Sequence, residues 1–228
     1  MRQKTAFSLA DQSRVRLLIC LIAILSVFEV SATINTSDTF SKKFQHKYGV
    51  EVAARIEQWQ KLLQTSLHLS EIEKLILVNN FFNKHISFVS DKSLWGIDDY
   101  WATPLEILFK GAGDCEDFSI AKYFTLIKLG IPENKIRLTY VKALNLNQPH
   151  MVVTFSLTST ATPIILDNLI PEIKSANKRK DLLPIFSFNN SGVWLEKPGH
   201  RNRLVGKSSQ INMWNDLRKR MKKVPSLN

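Results

Sequence analysis

The feature that most constrains the fold is one change of hydrophobic period, and it follows directly behind a lone thiol. From Cys115 to Gly130, the inward positions Phe118, Ala121, Phe124, Thr125 and Leu129 recur at helical spacing. Asp114 stands where an N-cap belongs, and Gly130 with Pro132 supplies the stop. Beyond the stop the pattern alternates, in Ile136–Val141, His150–Leu157 and Pro163–Asp167. Turn-forming residues around Asn145–Pro149 and Thr158–Thr162 separate these runs. A helix followed by closely spaced strands predicts an α+β fold, with the cysteine-bearing helix packed on an antiparallel meander.

Upstream the chain reads as helical over 39–48, 50–66 and 70–85. In the last of these, Ser70 and Glu73 form a capping box, and Ile72, Leu75, Ile76, Asn79 and Phe82 line one face. A second capping box, Thr103 with Glu106, has Pro104 at the first helical position and opens a short helix to Lys110. Residues 171–210 are irregular, interrupted by Pro171, Pro184, Gly192 and Pro198, and 210–223 reads as an amphipathic helix. At the other end, Arg14 and Arg16 precede the apolar run Leu17–Phe28 and the small-residue site Val30-Ser31-Ala32. This is the pattern of a cleaved export signal, and its apolar core falls short of the roughly 20 residues of a membrane span. The expected organisation is a signal over 1–32, a helical part over 33–90 and a core over 91–228 ending in a basic helix. Cleavage removes Cys20, so Cys115 is the one cysteine left and no internal disulfide can form.

Net charge is +11 for the whole chain, and much of the excess lies near the end, from Lys197 to Lys223. A nucleic-acid partner is excluded by export, by aromatics that are not interleaved with the basic run, and by the absence of any nucleic-acid module. An acidic protein, an anionic envelope surface and a merely solvated cationic face all remain open for these residues.

The chemistry centres on Cys115. At the first position of a helix, unpaired N–H groups and the positive end of the macrodipole favour a thiolate, the nucleophilic form of cysteine. His150 opens one predicted strand and Asp167 closes the next. The helix cysteine can therefore face the imidazole, with the carboxylate on the ring's far side. Asp114, Glu116 and Asp117 complicate this, because three carboxylates around a thiolate oppose its ionisation. A hard cation bound among them removes the conflict, and carboxylate oxygens suit Ca²⁺. For the oxyanion, the Cys115 backbone N–H is available by position, with the indole N–H of Trp101 or Trp95 as a second donor.

The chain resembles the bacterial transglutaminase-like cysteine proteinases. The likeness is carried by Trp95, by Asp99–Pro104 and Gly111–Asp117, by Lys122-Tyr123 and Tyr140-Val141, and by His150–Val152 and Leu166–Leu169. It implies a papain-like, transglutaminase-type core in which Cys115 is the nucleophile, His150 the general base and acid, and Asp167 the orienting acid. It also implies calcium dependence, with Asp114, Glu116 and Asp117 as ligands and Asp98 and Asp99 as further candidates. The members most similar to this chain imply a periplasmic protease that cuts a large repeat adhesin near its N-terminus, at paired alanines. Release of the adhesin promotes biofilm dispersal, and the periplasmic domain of an inner-membrane cyclic-di-GMP receptor inhibits the enzyme. A transglutaminase, a peptidoglycan-cleaving cysteine peptidase and a non-catalytic binding module are the alternatives.

Overall fold

A computed structural model describes residues 45–196 and 203–223. The export signal, the first part of the helix expected at 39–48, and Lys197, Pro198 and Arg201 lie outside the described residues. The chain divides into an N-terminal stretch ending at Ala53, helical over 45–48 and from Val50, and a larger body beginning at Ala54. No helix among the described residues is long and apolar enough to cross a membrane.

The helices are α1 (Val50–Thr65), α2 (Glu71–His85), α3 (Asp91–Trp95), α4 (Pro104–Lys110), α5 (Cys115–Lys128) and α6 (Asn212–Lys223). Both capping boxes form: Ser70 with Glu73 opens α2, and Thr103 with Glu106 opens α4. The buried face of α2 is rotated from the one the spacing suggested. Lys74, Leu75, Val78, Asn79, Phe81 and Phe82 point inward, whereas Ile72 and Ile76 are 42% and 43% exposed. Nor does packing break at residue 90, because Asn79 and Asn83 of α2 both bond to Lys122 of α5.

The strands are β1 (Ser87–Phe88), β2 (Ala112–Gly113), β3 (Ile136–Ala143), β4 (Gln148–Phe155), β5 (Ile164–Leu166), β6 (Lys174–Ser175), β7 (Leu182–Asn189), β8 (Gly192–Leu195) and β9 (Arg203–Gly206). Strands β3 to β9 build one antiparallel sheet in the order β6-β5-β4-β3-β7-β8-β9, and β1 pairs in parallel with β2. The meander β3-β4-β5 matches the alternation in the sequence. The stretch over 171–210, irregular in sequence, supplies four further strands. Pro184 sits in β7 opposite Val141, where the β3/β7 register shifts, so its missing N–H falls at an irregularity of the ladder.

Helix α5 is buried on almost every side, as a helix between two layers must be. One side meets the sheet, where Ser119 Oγ donates to the Met151 carbonyl at 2.9 Å. The other meets α1 and α2, with Trp59 Nε1 donating to Thr125 Oγ1 at 3.0 Å. A smaller cluster of Val141, Ala143, Val152, Ile165 and Leu182, capped by Ala176, is a second apolar core. Trp214 and Leu217 anchor α6, Trp214 stacking on Phe124 at 5.3 Å.

Candidate active site

Cys115 is the first residue of α5, and Asp114 is its N-cap, accepting from the Asp117 N–H. The fold brings this helix start against β4. Strand β5 pairs with β4 only from Val153 onward, so the edge of β4 at Met151 is open. The Met151 N–H donates toward the sulfur, which places the thiol one peptide from His150. His150 and Asp167, each 2% exposed, are joined by a 2.7 Å hydrogen bond between Nε2 and Oδ1. Because Nε2 is taken by the carboxylate, Nδ1 is the ring nitrogen that the pair leaves available.

Asp167 is held from several directions. Its Oδ1 also accepts the Leu169 N–H at 3.0 Å, and its Oδ2 accepts from Arg179 at 2.6 Å. Its backbone carbonyl receives Lys122 Nζ at 3.0 Å and Asn83 Nδ2 at 2.8 Å. The His150, Leu169 and Arg179 donors outweigh burial and hold the Asp167 carboxyl down to about 2, so it is an anion at neutral pH. Lys122 is fully buried and donates to three acceptors, Asn79 Oδ1, Asn83 Oδ1 and the Asp167 carbonyl. Burial pushes its pKa down, but three acceptors with no donor call for the ammonium form.

The thiol itself departs from expectation. Burial and the Glu116 carboxylate push its pKa up, not down, and Sγ donates to Glu116 Oε2 at 2.8 Å. Glu116 Oε1 in turn accepts from the Tyr140 hydroxyl at 3.3 Å. Burial first, and then the acids beside Cys115, thus prevail over the helix dipole in this state.

Asp114 and Asp117 converge with Asp91, which nothing in the local sequence pattern singled out. One carboxylate oxygen from each lies within 4.8 Å of the others. Glu116 is not part of this cluster, because its carboxylate faces Cys115 and Tyr140. Asp98 pairs with Lys92 at 2.9 Å in solvent, and Asp99 is also outside the cluster. Burial first, then repulsion from Glu116 and Asp99, raises the Asp91 carboxyl, and burial with repulsion from Glu116 and from within the cluster pushes Asp114 up to about 9 and Asp117 to about 8. Asp91 Oδ2 accepts the Tyr100 N–H at 2.5 Å, and Asp117 Oδ1 accepts the Ala102 N–H at 2.6 Å. Their other oxygens, Asp91 Oδ1 and Asp117 Oδ2, are buried with no donor. Bare carboxylate oxygens facing one another fit a hard cation and little else. Gly113 makes room for them, since a Cβ there would lie 2.7 Å from Asp117 Oδ2.

The loop that offers Tyr100 and Ala102 to these acids is clamped by α6. Arg220 donates to Glu106 at 2.6 Å, the Tyr100 hydroxyl at 2.8 Å and the Trp101 carbonyl at 2.5 Å. One member of the basic C-terminal run is therefore a scaffold residue. Trp101 is buried and stacks on Phe188 at 5.7 Å, and Trp95 lies 4.5 Å from Tyr100. Both indole N–H groups are buried without an acceptor.

A profile of the family described as bacterial transglutaminase-like cysteine proteinase matches residues 36–200. No curated protein matches the chain. Among solved structures, Legionella pneumophila LapG is similar, at 38% identity and a TM-score of 0.69, over 80% of this chain and 96% of that one. The calcium-bound form of that protein matches with the same identity and TM-score, over 80% of this chain and 98% of that one. Its EGTA-treated form matches at 38% identity and a TM-score of 0.70, over 80% and 96%.

Proposed function

Since the chain belongs to the bacterial transglutaminase-like cysteine proteinase family, we propose that it is a calcium-dependent periplasmic endopeptidase that cuts a large surface adhesin near its N-terminus. One observation carries the catalytic assignment: the buried 2.7 Å pair of His150 and Asp167 stands one peptide from a thiol at a helix start. His150 Nδ1 takes the thiol proton, and Sγ attacks the scissile carbonyl carbon. The Cys115 backbone N–H donates to the oxygen as it gains charge. The imidazolium, steadied by Asp167, returns its proton to the amine nitrogen as the C–N bond breaks. Water then attacks the thioester carbon, its proton passes to Nδ1, and Sγ leaves to recover that proton.

Asp91, Asp114 and Asp117 are the residues that hold the calcium ion. When bound, the ion supplies positive charge beside the nucleophile and lifts the like-charge penalty on the thiolate. Both the donor-free oxygens of the cluster and the calcium-bound form of the Legionella protein support this reading. The family resemblance supports the remainder: export to the periplasm, paired alanines at the cut, a role in biofilm dispersal, and inhibition by the periplasmic domain of a cyclic-di-GMP receptor.

The test is to incubate the chain with the N-terminal segment of its organism's largest repeat adhesin, with calcium and with chelator, and to read products by mass spectrometry. New termini that need both calcium and Cys115 are expected. Cleavage by a Cys115→Ala variant, or isopeptide cross-links in place of new termini, would reject the assignment.

A further inference from the structure

We propose that Arg179 is a positioning residue for the proton-transfer pair, dividing the charge of Asp167 with His150 and so setting how readily the imidazole takes and returns a proton. The inference rests on the protease reading for its effect on turnover, but its electrostatic content stands apart from it. Arg179 follows a short 3-10 turn after β6 and is almost wholly buried. Its terminal nitrogen donates to Asp167 Oδ2 at 2.6 Å, while Oδ1 of the same carboxylate serves His150. Asp181 pins the guanidinium from the other side, accepting Arg179 Nε at 3.0 Å and the terminal nitrogen at 2.8 Å. Asp181 is the more exposed of the two carboxylates, its side chain 24% accessible against 0% for Asp167.

This is more than a turn tied to a strand. A guanidinium held by Asp181 alone would anchor the turn, yet the chain buries it against the one carboxylate that faces the imidazole. An undivided buried anion 2.7 Å from the ring would hold the imidazolium firmly, and its proton would be slow to return to the leaving amine. A cation on the opposite oxygen tempers that grip while fixing the carboxylate's plane. The other charged and titratable groups around the pair are few. Lys122 of α5 sits on the Asp167 main-chain carbonyl, Cys115 lies at the head of α5, and Asp181 lies beyond Arg179. Of the two cations, only Arg179 touches the carboxylate itself.

The experiment follows the His150 ring signal by NMR through a pH titration of the full chain, with calcium held constant. A Cys115→Ala background removes the thiol from the titration, and a His150→Gln spectrum assigns the signal. Arg179→Met is expected to raise the midpoint by about one pH unit or more, because an opposite charge on the far oxygen no longer competes. Asp181→Asn is expected to lower it, since the guanidinium then bears wholly on Asp167. Arg179→Lys should titrate near the parent. Opposite displacements, with the Arg179→Met shift the larger because only Arg179 touches the carboxylate, are the expected signature, so equal midpoints, shifts of one sign, or an Arg179→Met shift smaller than that of Asp181→Asn overturn the proposal. Should Arg179→Met fail to fold, an unmoved midpoint in Asp181→Asn is sufficient to reject it. In the Cys115-containing enzyme, the alkaline limb of kcat/KM moves the same way. A parent that cleaves nothing, yet shows the opposite shifts, refutes the protease reading and leaves this inference standing.

Discussion

Calcium binding to the Asp91–Asp114–Asp117 cluster is expected to expel protons. Burial and repulsion from neighbouring acids, Glu116 among them, push the Asp114 carboxyl up to about 9 and that of Asp117 to about 8, and raise Asp91 as well. The three titrate as a unit, so the calcium-free cluster holds about two protons at pH 7, and ligation must displace them. Calorimetry at pH 7 in buffers of different ionisation enthalpy should therefore report about two protons released per ion, and well under one at pH 9.5. Apparent affinity should climb by up to about a hundredfold per pH unit near neutrality. The sign for stability is opposite to that of an ordinary salt-bridged acid. Carboxyls with a raised folded pKa keep protons that the unfolded chain has lost, so calcium-free stability falls as pH rises between about 4 and about 9. Asp91→Asn removes one of the three acids. It should raise the calcium-free melting temperature by roughly 2–4 °C, about 1 kcal/mol for a chain of this size, while shrinking the rise that calcium confers. Proton release that is absent at pH 7, or an Asp91→Asn variant less stable without calcium, would refute the reasoning.

Three further outcomes follow from the same contacts. Lys122→Met leaves the buried Asn79 and Asn83 amide oxygens without their donor, at about 1–3 kcal/mol each, while the Asp167 carbonyl keeps Asn83, and the loss is partly offset by no longer burying an ammonium. A fall of roughly 5–15 °C in melting temperature is expected, and calorimetry giving an unchanged value contradicts the network. Asp167→Asn should cut kcat by about 10²- to 10⁴-fold in the adhesin-cleavage assay, by losing the tautomer and the imidazolium partner. It should also lose a stabilisation of about 2 kcal/mol that the parent keeps above pH 4 and gives up as pH falls through about 2, which urea melts across that range would reveal. Gly113→Ala drives a methyl into Asp117 and should weaken calcium binding by about tenfold or more, so calorimetry returning the parent affinity would deny the cradle.

Local signals in the sequence carried the front half of the site well. The two capping boxes, the N-cap at Asp114 and the alternation through β3, β4 and β5 each depend on neighbours a few residues apart, and such patterns are legible without a fold. What was hidden depends on distant pairings. Asp91 reads as an ordinary first-turn acid of a five-residue helix, and only the packing of α3 beside β2 and α5 makes it a partner of Asp114 and Asp117. Glu116 looked equivalent to its neighbours by spacing, yet one step around the helix turns it toward Cys115 and Tyr140. Strand β7 was obscured by Pro184, which a sheet tolerates here because the register slips at that point. Arg179 gave no signal and Lys122 only a family likeness with no role attached, since a buried cation becomes meaningful only beside its acceptors. The expected depression of the thiol pKa failed because burial of the sulfur, and after it the Glu116 carboxylate 2.8 Å away, outweigh the helix dipole.

The most direct test of the account is the pH profile of Cys115 alkylation by iodoacetamide, followed by intact mass with saturating calcium. Rapid modification that persists well below the ordinary thiol range near pH 8.5 is expected, and His150→Gln should abolish that persistence. A profile that follows an ordinary thiol, unchanged by the loss of His150, would contradict the central claim.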